Sequence, residues 1–267
     1  MTTATTATSS PPRPVAPAAL RAFGGVWRLT YPRFLAPGNL AAVGGLLAAL
    51  ALLSIPAMRD GRAVGFSNWA VSFYLALLIP VMAFLSGAGA LRDEMKPTAV
   101  DYVHTRPIRR PMLVVFKFFA HFACAQVVYV AALAVVVGAG VYHGFPGALA
   151  ALPLMLLAQV LGSAAFMSLG FCFASLTSRY LVLGILYAGI VEAGIGKIPT
   201  QLSRLSLTHH LKAMLQTVSS EFTTPLAGAA SPAVPAGVLF AVAAALLAIS
   251  ALVFNFREFA GSRPKDA

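Results

Sequence analysis

The chain has 267 residues, 59% of them hydrophobic and only 10% charged, with mean hydropathy +0.82. An average soluble domain carries about a quarter charged residues, so this composition argues against a water-soluble globule. Nineteen lysines and arginines against eight acids give a net charge of +11, a nucleic-acid signal in a soluble chain that must here be read first against a bilayer.

Residues 1–17 are rich in Thr, Ala, Pro and Ser, with Arg13 as the one basic residue and no apolar stretch before a cleavage site. They read as a disordered tail and not as a signal peptide. Over 18–36, Leu20, Phe23, Trp27, Tyr31 and Phe34 fall on a narrow helical stripe while Arg21 and Arg28 lie on another face. This pattern predicts an amphipathic helix lying at a membrane interface. The alternative is an ordinary amphipathic helix packed on a soluble partner, but Pro32 and Pro37 break it just before the first long apolar run.

A helix needs about 20 mostly apolar residues to cross the hydrocarbon core. Six runs meet this, near 37–57, 69–91, 112–142, 148–176, 181–198 and 232–256. The expectation is an all-α polytopic membrane protein with a six-helix transmembrane domain over 37–256. Small-residue clusters at Gly44-Gly45, Ser86-Gly87-Ala88-Gly89 and Gly162-Ser163-Ala164 read as ordinary helix packing. The third and fourth runs exceed a minimal span, and 138–146 marks the turn between them. The stretch 199–231 is comparatively polar, with leucines at partly helical spacing, and predicts short amphipathic pieces on the outer surface, too few to fold into a separate domain. Residues 257–267 form a short basic tail.

Basic residues set the orientation. On one side lie Arg13, Arg21, Arg28 and Arg33, then Arg92, Lys96, Arg106, Arg109, Arg110 and Lys117, then Arg179, and finally Arg257, Arg263 and Lys265. The other side holds Arg59, Arg62, Lys197, Arg204 and Lys212. The positive-inside rule therefore predicts both termini and the 92–117 loop in the cytoplasm, and the charge excess is an orientation signal with no nucleic acid implied.

Catalytic signals are sparse. There is no G-x-x-x-x-G-K-[ST], since Gly196-Lys197 lacks the earlier glycine and the following hydroxyl residue, so the sequence offers no phosphate-cradling loop and ATP hydrolysis is not expected in this chain. His209 and His210 are adjacent, about 100° apart on a helix, and His104, His121 and His143 stand alone, so no metal site is expected. Cys124 and Cys172 sit far apart in apolar runs and form no CxxC pair. No serine sits in a G-x-S-x-G elbow.

Two segments carry information. The loop between the second and third runs begins with charges, holds Tyr102 in the middle, turns at Arg106-Pro107 and returns to the membrane through Arg109, Arg110 and Lys117. It reads either as a docking element held against the bilayer or as a solvated loop with positive-inside charge. The other is Glu192, the one acid inside the six runs, which is a functional candidate because an intramembrane carboxylate is costly. Near the outer end of its run it can also act structurally, accepting bonds from the backbone that follows or pairing with Lys197 or Arg204.

The loop is similar to the segment between the second and third spans of permeases of the ABC-2 type exporter family, on Glu94, Tyr102, Arg106, Pro107, Arg110 and Lys117. It departs from the family at 97–99, where a Gly-Thr pair is frequent. Leu186-Tyr187, Glu192, Pro199, Leu202 and Leu205-Ser206 resemble the family's fifth span and the re-entrant segment after it, with Val191 where many members have Trp. The resemblance implies an interfacial elbow helix before six spans, a second permease copy forming a homodimer, and a separate ABC ATP-binding subunit. No cofactor is then held by this chain, ATP and Mg being bound by that partner. It further implies a multi-pass protein of the cell inner membrane, with 92–111 as the coupling loop in which Glu94 and Arg106 make charge-assisted contacts to the ATPase and Tyr102 fills an apolar notch. Two rivals stand beside this reading: a secondary carrier or membrane enzyme, which would place more polar groups at the midplane than Gln126, Gln159 and Glu192, and a membrane scaffold.

Overall fold

The computed structural model describes residues 19–59, 63–95, 109–145, 147–197, 201–216 and 231–256. All of its regular structure is helical: α1 (Ala19–Phe34), α2 (Pro37–Ala57), α3 (Ala63–Ser67), a π-helical stretch (Asn68–Leu78), α4 (Ile79–Glu94), α5 (Arg110–Tyr142), α6 (Gly147–Leu176), α7 (Tyr180–Tyr187), a second π-helical stretch (Ala188–Gly194), 3-10 turns at Ile195–Lys197 and Gln201–Leu205, α8 (Leu207–Gln216) and α9 (Ala233–Phe256).

Five of these helical runs are long and apolar enough to cross a membrane: Pro37–Ala57, Gly65–Glu94, Arg110–Tyr142, Gly147–Leu176 and Ala233–Phe256. They coincide with five of the six expected spans. The fifth expected span, 181–198, is instead a shorter apolar helix, Tyr180–Gly194, with eight α-helical and seven π-helical residues. At about 1.5 Å per residue it falls short of a core about 30 Å thick. The chain then tightens into a 3-10 turn at Ile195–Lys197, and a second such turn, Gln201–Leu205, leads into α8, which packs back onto α6 and α9.

Local chemistry explains the boundaries. Proline near the start of α2 and of α5 supplies the fixed φ suited to a first turn. At the far end of α5, Gly144 takes φ +74°, its N–H donates to the Val141 carbonyl at 2.9 Å, and the Phe145 N–H donates to Gly140 at 3.0 Å. This left-handed Schellman end satisfies carbonyls that the finished helix would orphan.

The core centres on α6, which is covered by α4, α5, α8 and α9. Ala158, Ala165, Met167, Phe171 and Ala174 of α6 are completely buried. Backbone approach is closest where α4 crosses it: a Cβ on Gly87 would run into the Met167 carbonyl, and one on Gly170 into the Phe84 carbonyl. In contrast α2 rests mainly on α5 and buries only Leu50 and Ser54. Helix α1 lies against α5 through Ala22, Val26 and Thr30, so the aromatic stripe read from the sequence flanks the contact. Phe23 packs edge-on to Phe116 while Tyr31 and Leu20 remain exposed.

Candidate functional site

Of the residues expected in the 92–111 connection, Glu94 and Arg110 belong to the described residues; Tyr102, Arg106 and Pro107 lie outside them. Glu94 is the last residue of α4. A helix C-terminus is the negative end of the backbone dipole and a poor place for a carboxylate, so Glu94 needs a cation nearby. Lys117, two turns into α5, supplies it: its Nζ pairs with Glu94 Oε1, with the lysine side chain 7% and the glutamate side chain 17% exposed.

The same turn of α4 reaches a third helix. The Arg92 guanidinium lies 5.9 Å from the centre of the Tyr180 ring at the start of α7, within cation–π range, and it also donates to Met95 Sδ at 3.6 Å. One turn thus grips α5 through an ion pair and α7 through a ring, where the connection leaves the membrane body. Arg110 opens α5 directly after the extended Arg109 and just before Pro111.

The second candidate, Glu192, sits in the π-helical stretch before the chain turns back. Its Oε1 accepts from the Tyr187 hydroxyl at 2.7 Å and the Leu207 backbone N–H at 3.0 Å. Its Oε2 accepts from the Ser206 hydroxyl at 2.6 Å, the Thr208 hydroxyl at 2.5 Å and the Thr208 N–H at 3.1 Å. Leu207 and Thr208 open α8, and Ser206 caps it by accepting from the His209 N–H at 3.1 Å. Orphan donors and the positive dipole end of a helix are therefore met by a carboxylate from the preceding segment. Five donors fill the roughly four lone-pair positions that a carboxylate offers, and a carboxylate so engaged has little acceptor capacity left for a ligand.

Beside this cap, His209 is held below the usual imidazole range, first by burial and then by neighbouring His210 and Arg204. The His210 Nε2 lies 2.8 Å from the Arg204 carbonyl. No group of three His, Cys, Asp or Glu among the described residues can hold a metal ion.

Several polar side chains inside the spans acquire partners that spacing alone did not reveal. The Tyr74 hydroxyl donates to the Tyr129 carbonyl at 2.8 Å and lies 2.6 Å from the Gln159 side-chain amide. The Gln126 amide donates to Ser163 at 2.7 Å, and the Trp69 indole donates to Ser54 at 2.8 Å. These bonds join neighbouring spans, and through Gln159 also the second to the fourth; each stabilises by about 0.6 kcal/mol on the average of comparable intramembrane bonds. The sequence signal was the presence of Gln126 and Gln159 in apolar runs. Their partners, Tyr74 and Ser163, look like ordinary residues of a span.

The geometry describes a body of apolar helices in which the last turn of α4 is tied to α5 and α7 and Glu192 caps the start of α8. The sequence model of a family described as ABC-2 family transporter protein matches residues 15–259, nearly the whole chain. The chain belongs to that family. No curated protein matches it.

Proposed function

We propose that this member of the ABC-2 transporter family is the permease subunit of an exporter, driven by a separate ATP-binding subunit that binds and hydrolyses ATP with Mg. Two copies pair across the bilayer, each counted as six spans, with the shorter Tyr180–Gly194 helix as the fifth. Helix α1 serves as the interfacial elbow of a protein of the cell inner membrane, and the asymmetry of its basic residues supports an orientation with both termini on the cytoplasmic side.

The observation that carries the reading is the joint at the end of α4. Because Glu94 pairs with Lys117 of α5 and Arg92 stacks on Tyr180 of α7, a displacement of the 92–111 connection is passed to three helices together. In this mechanism Tyr102 fills an apolar notch of the ATPase, while Arg106, its turn fixed by Pro107, and Arg110 hold that surface by charge-assisted bonds. Glu94 anchors the entry of the connection. Glu192, with its acceptors engaged, positions the outer segment. The apolar spans suit a lipid-like or amphipathic cargo.

The test is co-expression with an ATP-binding-cassette subunit encoded beside this chain. Replacing Glu94→Gln and Arg106→Gln together should abolish both co-purification and transport. If both persist, the coupling role of the connection is wrong; if no ATPase co-purifies with the unmodified chain in mild detergent, a carrier working alone is the better reading.

A further inference from the structure

Four polar side chains meet in the middle of the apolar body. The Gln126 amide donates to the Ser163 hydroxyl at 2.7 Å, and that hydroxyl donates to the Val160 carbonyl at 3.1 Å. One turn along the same two helices, the Tyr74 hydroxyl lies 2.8 Å from the Tyr129 carbonyl and 2.6 Å from the Gln159 side-chain oxygen. Tyr74, Gln159 and Ser163 are completely buried. Gln126 is near the midpoint of α5 (Arg110–Tyr142) and Gln159 near that of α6 (Gly147–Leu176), a depth that bulk water does not reach in a bilayer.

The hydrogen bonding of this seam does not close on itself. A tyrosine hydroxyl has one proton, and that of Tyr74 faces two acceptors. The Gln159 side-chain nitrogen, with two protons, has no partner among the described residues, and neither has the Gln126 side-chain oxygen. Turning the Gln159 amide over lets it donate to the Tyr74 oxygen but strands its own oxygen instead. Either way one group of each glutamine is buried unpaired, against the strong tendency of buried polar groups to find partners. Gln126 and Tyr129 are three residues apart in α5, and Gln159 and Ser163 four apart in α6. The two unmet groups therefore lie about one helical turn apart along the seam, about 5.4 Å. Two hydrogen bonds through a single water oxygen span about 5–6 Å.

We infer that one water molecule is held in this seam, hydrogen-bonded to the side-chain amides of Gln126 and Gln159. Water carries two donors and two acceptors, so it meets the Gln126 oxygen together with either the nitrogen or the oxygen of Gln159, whichever that amide presents. Direct contact between the two amides would serve only one of those orientations. Through Tyr74, Gln126 and Gln159 the water ties the first π-helical stretch, α5 and α6 into one network at mid-depth. The inference rests on burial within the spans alone, so it can fail while the export reading survives, and the reverse.

The chain has four glutamines, Gln126, Gln159, Gln201 and Gln216, which makes their side chains separable by isotope labelling. The experiment places the full chain, labelled at its glutamine side-chain nitrogens, in bilayers of perdeuterated lipid and reads by solid-state NMR the magnetisation passed from water to each amide. Exposed Gln201 serves as the reference for bulk water. Gln159 should receive transfer despite its complete burial. Gln126→Leu removes one of the two groups that hold the water and should abolish the transfer to Gln159. Gln126→Glu, protonated at that depth, keeps an acceptor oxygen and a donor for Ser163 and should restore it. A Gln159 amide that receives nothing from water in the unmodified chain overturns the inference without recourse to any variant. So does transfer unchanged in Gln126→Leu, which would mean that other groups hold the water, or transfer lost equally in Gln126→Glu, which would trace the effect to disturbed packing.

Discussion

Gly170 offers the sharpest test of how the two most closely packed helices meet. A methyl group there would collide with the Phe84 carbonyl oxygen and come within 2.9 Å of the Ala88 amide nitrogen, both backbone atoms of α4 that cannot rotate away. Overpacking of this kind costs about 1–3 kcal/mol, and the absence of a movable side chain puts Gly170→Ala near the top of that range. Alanine's better helix propensity returns up to about 1 kcal/mol, leaving a net destabilisation of about 2 kcal/mol. For a chain of this size that lowers the melting temperature by about 4–8 °C. The matched control is Gly89→Ala, where a Cβ meets nothing within 4 Å and the substitution should stabilise by about 0.5–1 kcal/mol. Melting both variants in detergent, with monodisperse protein quantified by size-exclusion chromatography, separates them. A Gly170→Ala protein melting at or above the unmodified chain would refute the close approach of α4 and α6.

Three further outcomes follow from the sites. Lys117→Met strands the Glu94 carboxylate in a mostly buried position and should destabilise more than the double change Glu94→Gln with Lys117→Met, although the partial exposure of Glu94 keeps the loss below the roughly 3–5 kcal/mol of a fully buried pair; equal melting temperatures would show that the pair is solvated. Glu192→Ala uncovers the N–H groups of Leu207 and Thr208 and should cost about 1–3 kcal/mol, read as faster hydrogen exchange across α8 while α6 stays protected; an unchanged α8 would mean the cap is replaced by water at no cost. Because His209 is lowered in the folded chain, the unfolded chain binds the proton first, so α8 should hold its full stability above the ordinary imidazole range and lose some as pH falls through it. His209→Gln should flatten that profile of exchange against pH, and a slope that persists would assign the titration elsewhere.

Hydropathy alone located most of the fold. The run read as 37–57 is the helix Pro37–Ala57, and those near 112–142, 148–176 and 232–256 end within two residues of the helices that form. The run 181–198 forms a helix shorter than its apolar count implies, Tyr180–Gly194, because such a count cannot register that Glu192 caps a helix fifteen residues further on. Small residues were equally ambiguous. Gly87 and Gly162 press against Met167 and Leu211, whereas Gly44 and Gly45, alike in sequence context, meet nothing; the difference depends on which helix lies opposite, information that is not local. Glu94 and Glu192 stood out as acids in an apolar chain, but their partners did not, since lysine, tyrosine, serine and threonine become meaningful only when folding brings them to a carboxylate.

The π-helical stretch between α3 and α4 bears on alignment along the whole rod. Buried positions there recur as Phe66, Ala70 and Tyr74, then, after one step of five, Ile79, Ala83, Gly87 and Leu91. In an uninterrupted α-helix each step of four rotates the next side chain by about 40° past the last, so such a row would wind off the seam within a few turns. The i→i+5 bonds of the π stretch place more residues in each turn and counter that rotation. Deleting a single residue within Asn68–Leu78 would restore α-helical winding and swing the two ends of the rod about 100° relative to each other. The Tyr74 hydroxyl and the Gly87 crossing would then no longer face α6 at once.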